Sequence, residues 1–237
     1  MWAREQRTFS NEHRVVRFDL RGYGGSSPAT QPFSYVRDVR SLVDHLRLDR
    51  PMLVGASMGG AFAINYALEH PNDLRGLLLV APGISGGFEP PFEPAEQAAF
   101  EADEKQSGAI AGAWARHDLT AAIEGVRSLW CPALEGEALR LFRTMVTENA
   151  EEVLGDRSAL HAERSPPAAA RLSSIRVPTT VLVGDRDNPA SAYFARRIAK
   201  GIPGAKLVEV SGADHLLNLG RPDAFDAGLR SVLSRSH

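Results

Sequence analysis

The segment Leu53 to Phe62 reads LVGASMGGAF. An apolar run ends at Ser57, which has Gly55 two places before it and Gly59 two places after it. Small residues then continue at Gly60, Ala61 and Ala63. A strand that turns sharply into a helix accounts for this pattern. The serine at the tip of such a turn must hold a strained backbone, and side chains at the two flanking positions are expected to collide with neighbouring backbone. The hydroxyl is thereby offered to a substrate. The helix starting at Met58 aims its first amides at negative charge forming there, and the Met58 amide is the expected oxyanion donor. From average residue usage, G-x-S-x-G arises by chance on the order of one time in ten in a chain this long. The apolar strand before it and the small-residue helix after it therefore carry the reading.

Two other glycine-rich chemistries are excluded. A phosphate-cradling loop needs Lys and then Ser or Thr after its second glycine, but Gly60 is followed by Ala61 and Phe62. A dinucleotide fingerprint fails at RGYGGSSP, where Ser27 stands in place of the third glycine.

Outward from Ser57, short apolar runs alternate with helical patterns. VVRFDL (Val15 to Leu20), PMLVGAS, LRGLLLVAP, VPTTVLVGD (Val177 to Asp185) and AKLVEV (Ala205 to Val210) read as strands. Val36, Val39, Val43 and Leu46 mark one face of a helix. MGGAFAINYALEH, ASAYFARRIAKG and PDAFDAGLRSVLSR are further helices, and Gly201 is placed to end the second of these. Strand and helix in alternation predict a parallel sheet covered on both faces, and near-continuous runs such as LLLVA suit strands buried on both sides.

Residues 84–171 break the rhythm. GGFEPPFEP reads as a linker. AEQAAFEADEKQ, AGAWARHDLTAAIEGVRSLW and EGEALRLFRTMVTENAEEVL are helical patterns without strands, and SPPAAARL leads back. The expected organisation is an α/β core over 1–83 and 172–237 with an all-helical cap insert over 84–171. Trp114, Trp130, Phe142 and Met145 either line a pocket under that cap or form its own core.

The 237 residues suit one large domain with an insert, and a net charge of −2 without a basic run gives no sign of nucleic acid or anionic lipid as partner. The single cysteine, Cys131, can form no internal disulfide and reads as a small apolar side chain. The polar start MWAREQRTFS has no apolar core like that of a signal peptide, and LLLVA is too short to span a bilayer, so the expected location is cytoplasmic. No ligand cluster with metal spacing appears, and no metal or organic cofactor is expected.

A serine nucleophile needs a base in hydrogen-bond reach and a group to orient that base. Of seven histidines, His13, His45, His70, His117 and His161 lie in polar or helical surface patterns, and His237 is terminal. His215, in VEVSGADHLLNLGRPDAF, follows the last strand and therefore shares the sheet's C-terminal edge with Ser57. VLVGDRDNPAS offers two acids, Asp185 and Asp187, above the strand before it. Asp214, beside His215, reads as a loop charge directed away from the imidazole.

DLRGYGGSS (Asp19 to Ser27), VGASMGG, VGDRD and GADHLLNLGRPDAF, in this order, resemble the motifs of the α/β-hydrolase superfamily. Within it the chain is similar to small capped serine hydrolases such as 3-oxoadipate enol-lactonases and related esterases. The resemblance implies an acid three residues after Gly184, which selects Asp187 and makes the triad Ser57, Asp187 and His215. It also implies that Asp19 and Arg21 brace the site rather than act in it. The family's sheet begins with further strands, the third ending in a His-Gly loop that donates a second oxyanion amide. MWAREQRTFSNEHRVVRFDL contains neither, so the chain is expected to lack three strands of the sheet; the preferred explanation is a missing natural N-terminus, and the alternative is a naturally shortened protein that has repaired the sheet another way.

The implied activity is hydrolysis of a small-molecule carboxylic ester or lactone through an acyl-enzyme. Carbon–carbon bond hydrolysis of a diketone is the alternative chemistry on the same fold. A non-catalytic ligand-binding protein is the alternative of a different class.

Overall fold

The computed structural model describes residues 1–90, 92–154 and 166–235. His161, His237, Pro91 of the linker and Ser165 of the return segment lie outside the described residues. The sheet has four parallel strands in chain order: β1 (Met52–Ala56), β2 (Gly76–Val80), β3 (Thr179–Gly184) and β4 (Lys206–Val210). The helices are α1 (Ala3–Phe9), α2 (Tyr35–His45), α3 (Met58–Glu69), α4 (Pro94–Ala115), α5 (Leu119–Trp130), α6 (Gly136–Glu148), α7 (Ala150–Leu154), α8 (Pro189–Gly201), α9 (Leu217–Gly220) and α10 (Pro222–Leu233).

Every residue of β2 and β3 is buried, as continuous apolar runs require. Successive side chains serve opposite faces. Leu77, Leu79, Val181 and Val183 join one core with Val36 and Val39 of α2, Ile64 of α3 and Ile198 of α8. Leu78, Val80 and Leu182 join the other with Phe9 of α1, Leu217 of α9, and Phe225 and Val232 of α10. The period-two alternation thus feeds two cores from one strand. β4 is an edge strand, with Leu207 and Val208 exposed.

The expected strand Val15–Leu20 does not form: these residues carry no sheet ladder. A strand needs a neighbour for its backbone groups. β1 bonds only to β2, and no described strand occupies its other edge, where Val54 is 36% exposed. The loop that follows has its own polar contacts. Asp19 accepts from the Gly25 amide, and Arg21 makes a two-pronged contact with Asp38 of α2.

Between β2 and β3 the described regular elements are all helical, with a core of Ile110, Val126, Leu129, Cys131, Leu134, Phe142 and Val146. AGAWARHDLTAAIEGVRSLW, read as one helical pattern, is split between α4 and α5. His117 turns at φ +61°, and the Asp118 side chain caps α5 by accepting from the Ala121 amide. The returning 3₁₀ turn Ala168–Ser174 packs Ala168 and Leu172 into the main core. Gly201 is the last residue of α8 and serves close packing: a Cβ there would press on Leu172. Among the described residues no helix is long and apolar enough to cross a membrane.

Candidate active site

Ser57 joins β1 to α3 with φ +52° and ψ −119°, the strained backbone expected at the tip of the turn. Its amide donates to Val80 of β2, and its carbonyl accepts from Gly60, Ala61 and Gly83, so four hydrogen bonds hold the strain in place. The two glycines of the motif are not equivalent. A Cβ on Gly55 would run into the carbonyl of Gly59, whereas a Cβ on Gly59 would meet nothing within 4 Å. The second crowded position is Gly60, which faces Pro82. The expected collision at Gly59 is therefore corrected to Gly60, because the helix leaves the turn with Gly59 facing open space. Met58 opens α3 with its side chain exposed, and its amide lies among the unpaired donors of the helix start.

The parallel sheet puts the residues after β1, β3 and β4 on one rim. β1 and β4 are three strand spacings apart, roughly 14 Å, so the loop after β4 must carry its histidine back across the sheet. Gly184, at the end of β3, lets it cross. A Cβ there would strike the Ala213 carbonyl, and the closeness allows Arg186 N–H to bond that carbonyl at 2.9 Å. Asp185 holds the turn below: it accepts from Ser211 Oγ at 3.0 Å and from the Gly212 amide at 2.7 Å.

His215 is the only buried histidine among the described residues, at 6% exposure. Its Nδ1 lies 3.0 and 3.1 Å from the two oxygens of Asp187, whose side chain is wholly buried. A carboxylate can only accept, so Nδ1 carries the proton, and in the neutral imidazole Nε2 presents a lone pair. Nε2 is buried and has no hydrogen-bond partner among the described residues. The structure thus brings Asp187 and His215 together and puts Ser57 on the same rim, without a direct hydrogen bond between Ser57 and His215. Of the two acids read in the sequence, Asp187 meets the imidazole and Asp185 serves the neighbouring turn.

The insert reaches this rim at two points that the sequence did not signal. Asn188 caps α8 and also donates from Nδ2 to Asp103 of α4 at 2.6 Å, and its amide donates to Asp187 at 2.7 Å. On the other side, the His215 amide donates to the Trp130 carbonyl at 3.0 Å, and the two rings lie 5.8 Å apart at 23°. Trp130 also packs on the insert's core, while Phe142 is a member of that core. Asp214, read as a loop charge, is buried at 1% exposure and accepts from the Ala133 amide at 2.9 Å. The insert lies over it and shuts out solvent. Burial, aided by the nearby charge of Asp187, pushes its carboxyl above the usual range, against backbone donors at Ala133 and Leu216. Cys131 is buried and its thiol is pushed up by burial. Among the described residues, no group of three or more His, Cys, Asp or Glu is arranged to hold a metal ion.

The sequence model of the alpha/beta hydrolase family matches residues 1–227. The chain belongs to that family. Among solved alpha/beta hydrolases it is similar to a thermophilic esterase from Thermogutta terrifontis, with 26% identity and a TM-score of 0.77. The match covers 100% of this chain and 85% of that one. An enol-lactonase from Burkholderia xenovorans LB400 gives 26% identity and a TM-score of 0.75 over 98% of this chain and 85% of its own. A curated relative, 3-oxoadipate enol-lactonase 2 of Acinetobacter baylyi, is 23% identical over 99% of this chain and 84% of its own length. The protein is thus an alpha/beta hydrolase with hydrolase relatives that include esterases and lactonases.

Proposed function

We propose that this alpha/beta hydrolase cleaves a small-molecule carboxylic ester or lactone through a serine nucleophile, with Ser57, His215 and Asp187 as its triad. The observation that carries the reading is the buried His215, held on Nδ1 by Asp187 and unpartnered at Nε2, on the rim that also bears the strained Ser57. The esterase and enol-lactonase among its structural neighbours support the substrate class.

In this reading Nε2 of His215 takes the hydroxyl proton of Ser57 as Oγ bonds to the substrate carbonyl carbon. The carbonyl oxygen becomes an oxyanion and accepts from the Met58 amide at the start of α3. Asp187 fixes the tautomer and stabilises the imidazolium. The bond to the leaving oxygen then breaks, and His215 returns the proton to that oxygen. Water, deprotonated by Nε2, attacks the acyl-enzyme; the acid leaves and Ser57 regains its proton. No metal or organic cofactor takes part. The helical insert over 84–171 acts as a cap that selects substrate. A cytoplasmic location belongs to the same reading and rests on the lone cysteine.

Wild-type protein should release a burst of p-nitrophenol from an activated ester and take up a fluorophosphonate label at Ser57. Ser57→Ala should do neither. A burst retained in Ser57→Ala would refute the assignment, and absence of labelling in the wild type would favour a non-catalytic binding role.

A further inference from the structure

Asp214 is an expensive residue for its place. A buried carboxylate ordinarily fills several acceptor sites, because stripping it of water carries a large cost. Oδ2 of Asp214 takes the Ala133 amide, the Leu216 backbone N–H also favours the charge, and among the described residues Oδ1 is buried without a hydrogen-bond partner. The residues it joins lie 81 positions apart in sequence, one in the histidine loop and one in the turn that ends α5. That turn begins at Trp130, whose carbonyl holds the backbone of His215 and whose indole lies against the imidazole. On the far side of Ala133 the turn is anchored by Leu134, buried in the insert's core, and Leu216 of the histidine loop and Leu219 of α9 pack on the same core. The imidazole therefore has three restraints: Asp187 at Nδ1, Trp130 on its face, and the Trp130 carbonyl on its backbone. Two of the three come from a turn that Asp214 fastens.

We infer that Asp214 is a positioning residue, which sets the His215 ring by clamping the Trp130–Leu134 turn of the helical insert onto the histidine loop. It touches neither substrate nor reacting atoms and acts through Trp130. Its catalytic consequence rests on the hydrolase reading above, whereas its structural consequence does not. Small displacements at a reacting centre are costly, with about 10²-fold in rate for a shift near 1 Å.

The test compares Asp214→Ala and Asp214→Asn with the wild type. The rate with p-nitrophenyl acetate is normalised to the sites labelled by fluorophosphonate, so that misfolded protein drops out of the comparison. The proton shared by His215 Nδ1 and Asp187 is followed by its far-downfield NMR resonance, assigned by its loss in Asp187→Asn. Asp214→Ala should lower kcat per labelled site by about 10²-fold, with KM little changed, and should broaden or abolish the resonance. Asp214→Asn keeps an oxygen for the Ala133 amide and should restore most of both. An Asp214→Ala protein that melts at lower temperature, yet keeps the wild-type kcat per labelled site and the resonance, would overturn the inference and leave a purely structural role. If the wild type neither labels nor turns over, but the resonance is lost in Asp214→Ala and returns in Asp214→Asn, the hydrolase reading fails and the positioning role stands.

Discussion

Asp103 of α4 accepts a 2.6 Å hydrogen bond from Nδ2 of Asn188, the residue that follows Asp187 and caps α8. The bond ties the first helix of the insert to the loop that carries the acid. Asp103→Ala should remove a charge-assisted bond and lower stability by about 1–2 kcal/mol. Urea denaturation, read as a shift of midpoint at constant slope, checks it. A midpoint equal to the wild type's would mean that the contact contributes nothing net.

Asp187→Asn should leave the fold intact and reduce kcat by about 10⁴-fold. An amide nitrogen beside Nδ1 no longer requires a proton there, so the imidazole can adopt the tautomer with Nε2 protonated, which cannot accept from Ser57. Steady-state kinetics with an activated ester, alongside a thermal melt, separates this loss from unfolding.

Gly55→Ala and Gly59→Ala should behave oppositely although the motif treats the two glycines alike. The first forces a methyl into the Gly59 carbonyl and should cost about 1–3 kcal/mol or prevent folding. The second places a methyl in open space within a helix and should be neutral or stabilising by up to about 1 kcal/mol. Melting temperatures of the two purified variants decide the matter.

Glu5 of α1 is buried at 6% exposure, and neither of its oxygens has a hydrogen-bond partner among the described residues. Burial, aided by the charge of Asp226, pushes its carboxyl above the ordinary range, against smaller opposing contributions from its own backbone, Arg4 and the N-terminus. The native state thus holds this proton more tightly than the unfolded chain does. The contribution to stability is complete below the unfolded carboxyl's value, about pH 4.3, and is lost as pH rises through the higher native value. Glu5→Gln removes the dependence. Its advantage in melting temperature over the wild type should be smallest near pH 4 and widen toward pH 7. A gap that stays constant over that range would contradict the assignment to Glu5.

The four sheet strands and the rim they share were legible because each rests on a local pattern: an apolar run bounded by turn residues and followed by a helix. Val15–Leu20 has the same pattern and forms no strand, because pairing depends on a neighbour that the run itself does not encode. Ser57 and His215 stood out through their positions after strands. Asp214 did not, since a polar residue in a Gly-Ala-Asp-His turn looks solvated until the insert is folded over it. The same holds for Asp103 and for the ring of Trp130, whose partners come from distant parts of the chain. Gly59 departs from the motif's expectation for a related reason: crowding depends on the path of α3, which turns Gly60 and not Gly59 toward Pro82.

The double attachment of the helical insert bears on how such a protein could be diversified. Its helices touch the acid loop through Asp103 and the histidine loop through Trp130 and Ala133. A foreign module grafted between β2 and β3 would arrive without these fastenings, and its new recognition surface would come with a slackened acid–base pair. Under the proposed function, chimeras that change selectivity while retaining turnover must therefore transplant the module together with counterparts of Asn188 and Asp214, so that recognition and reactivity would be inherited as one unit.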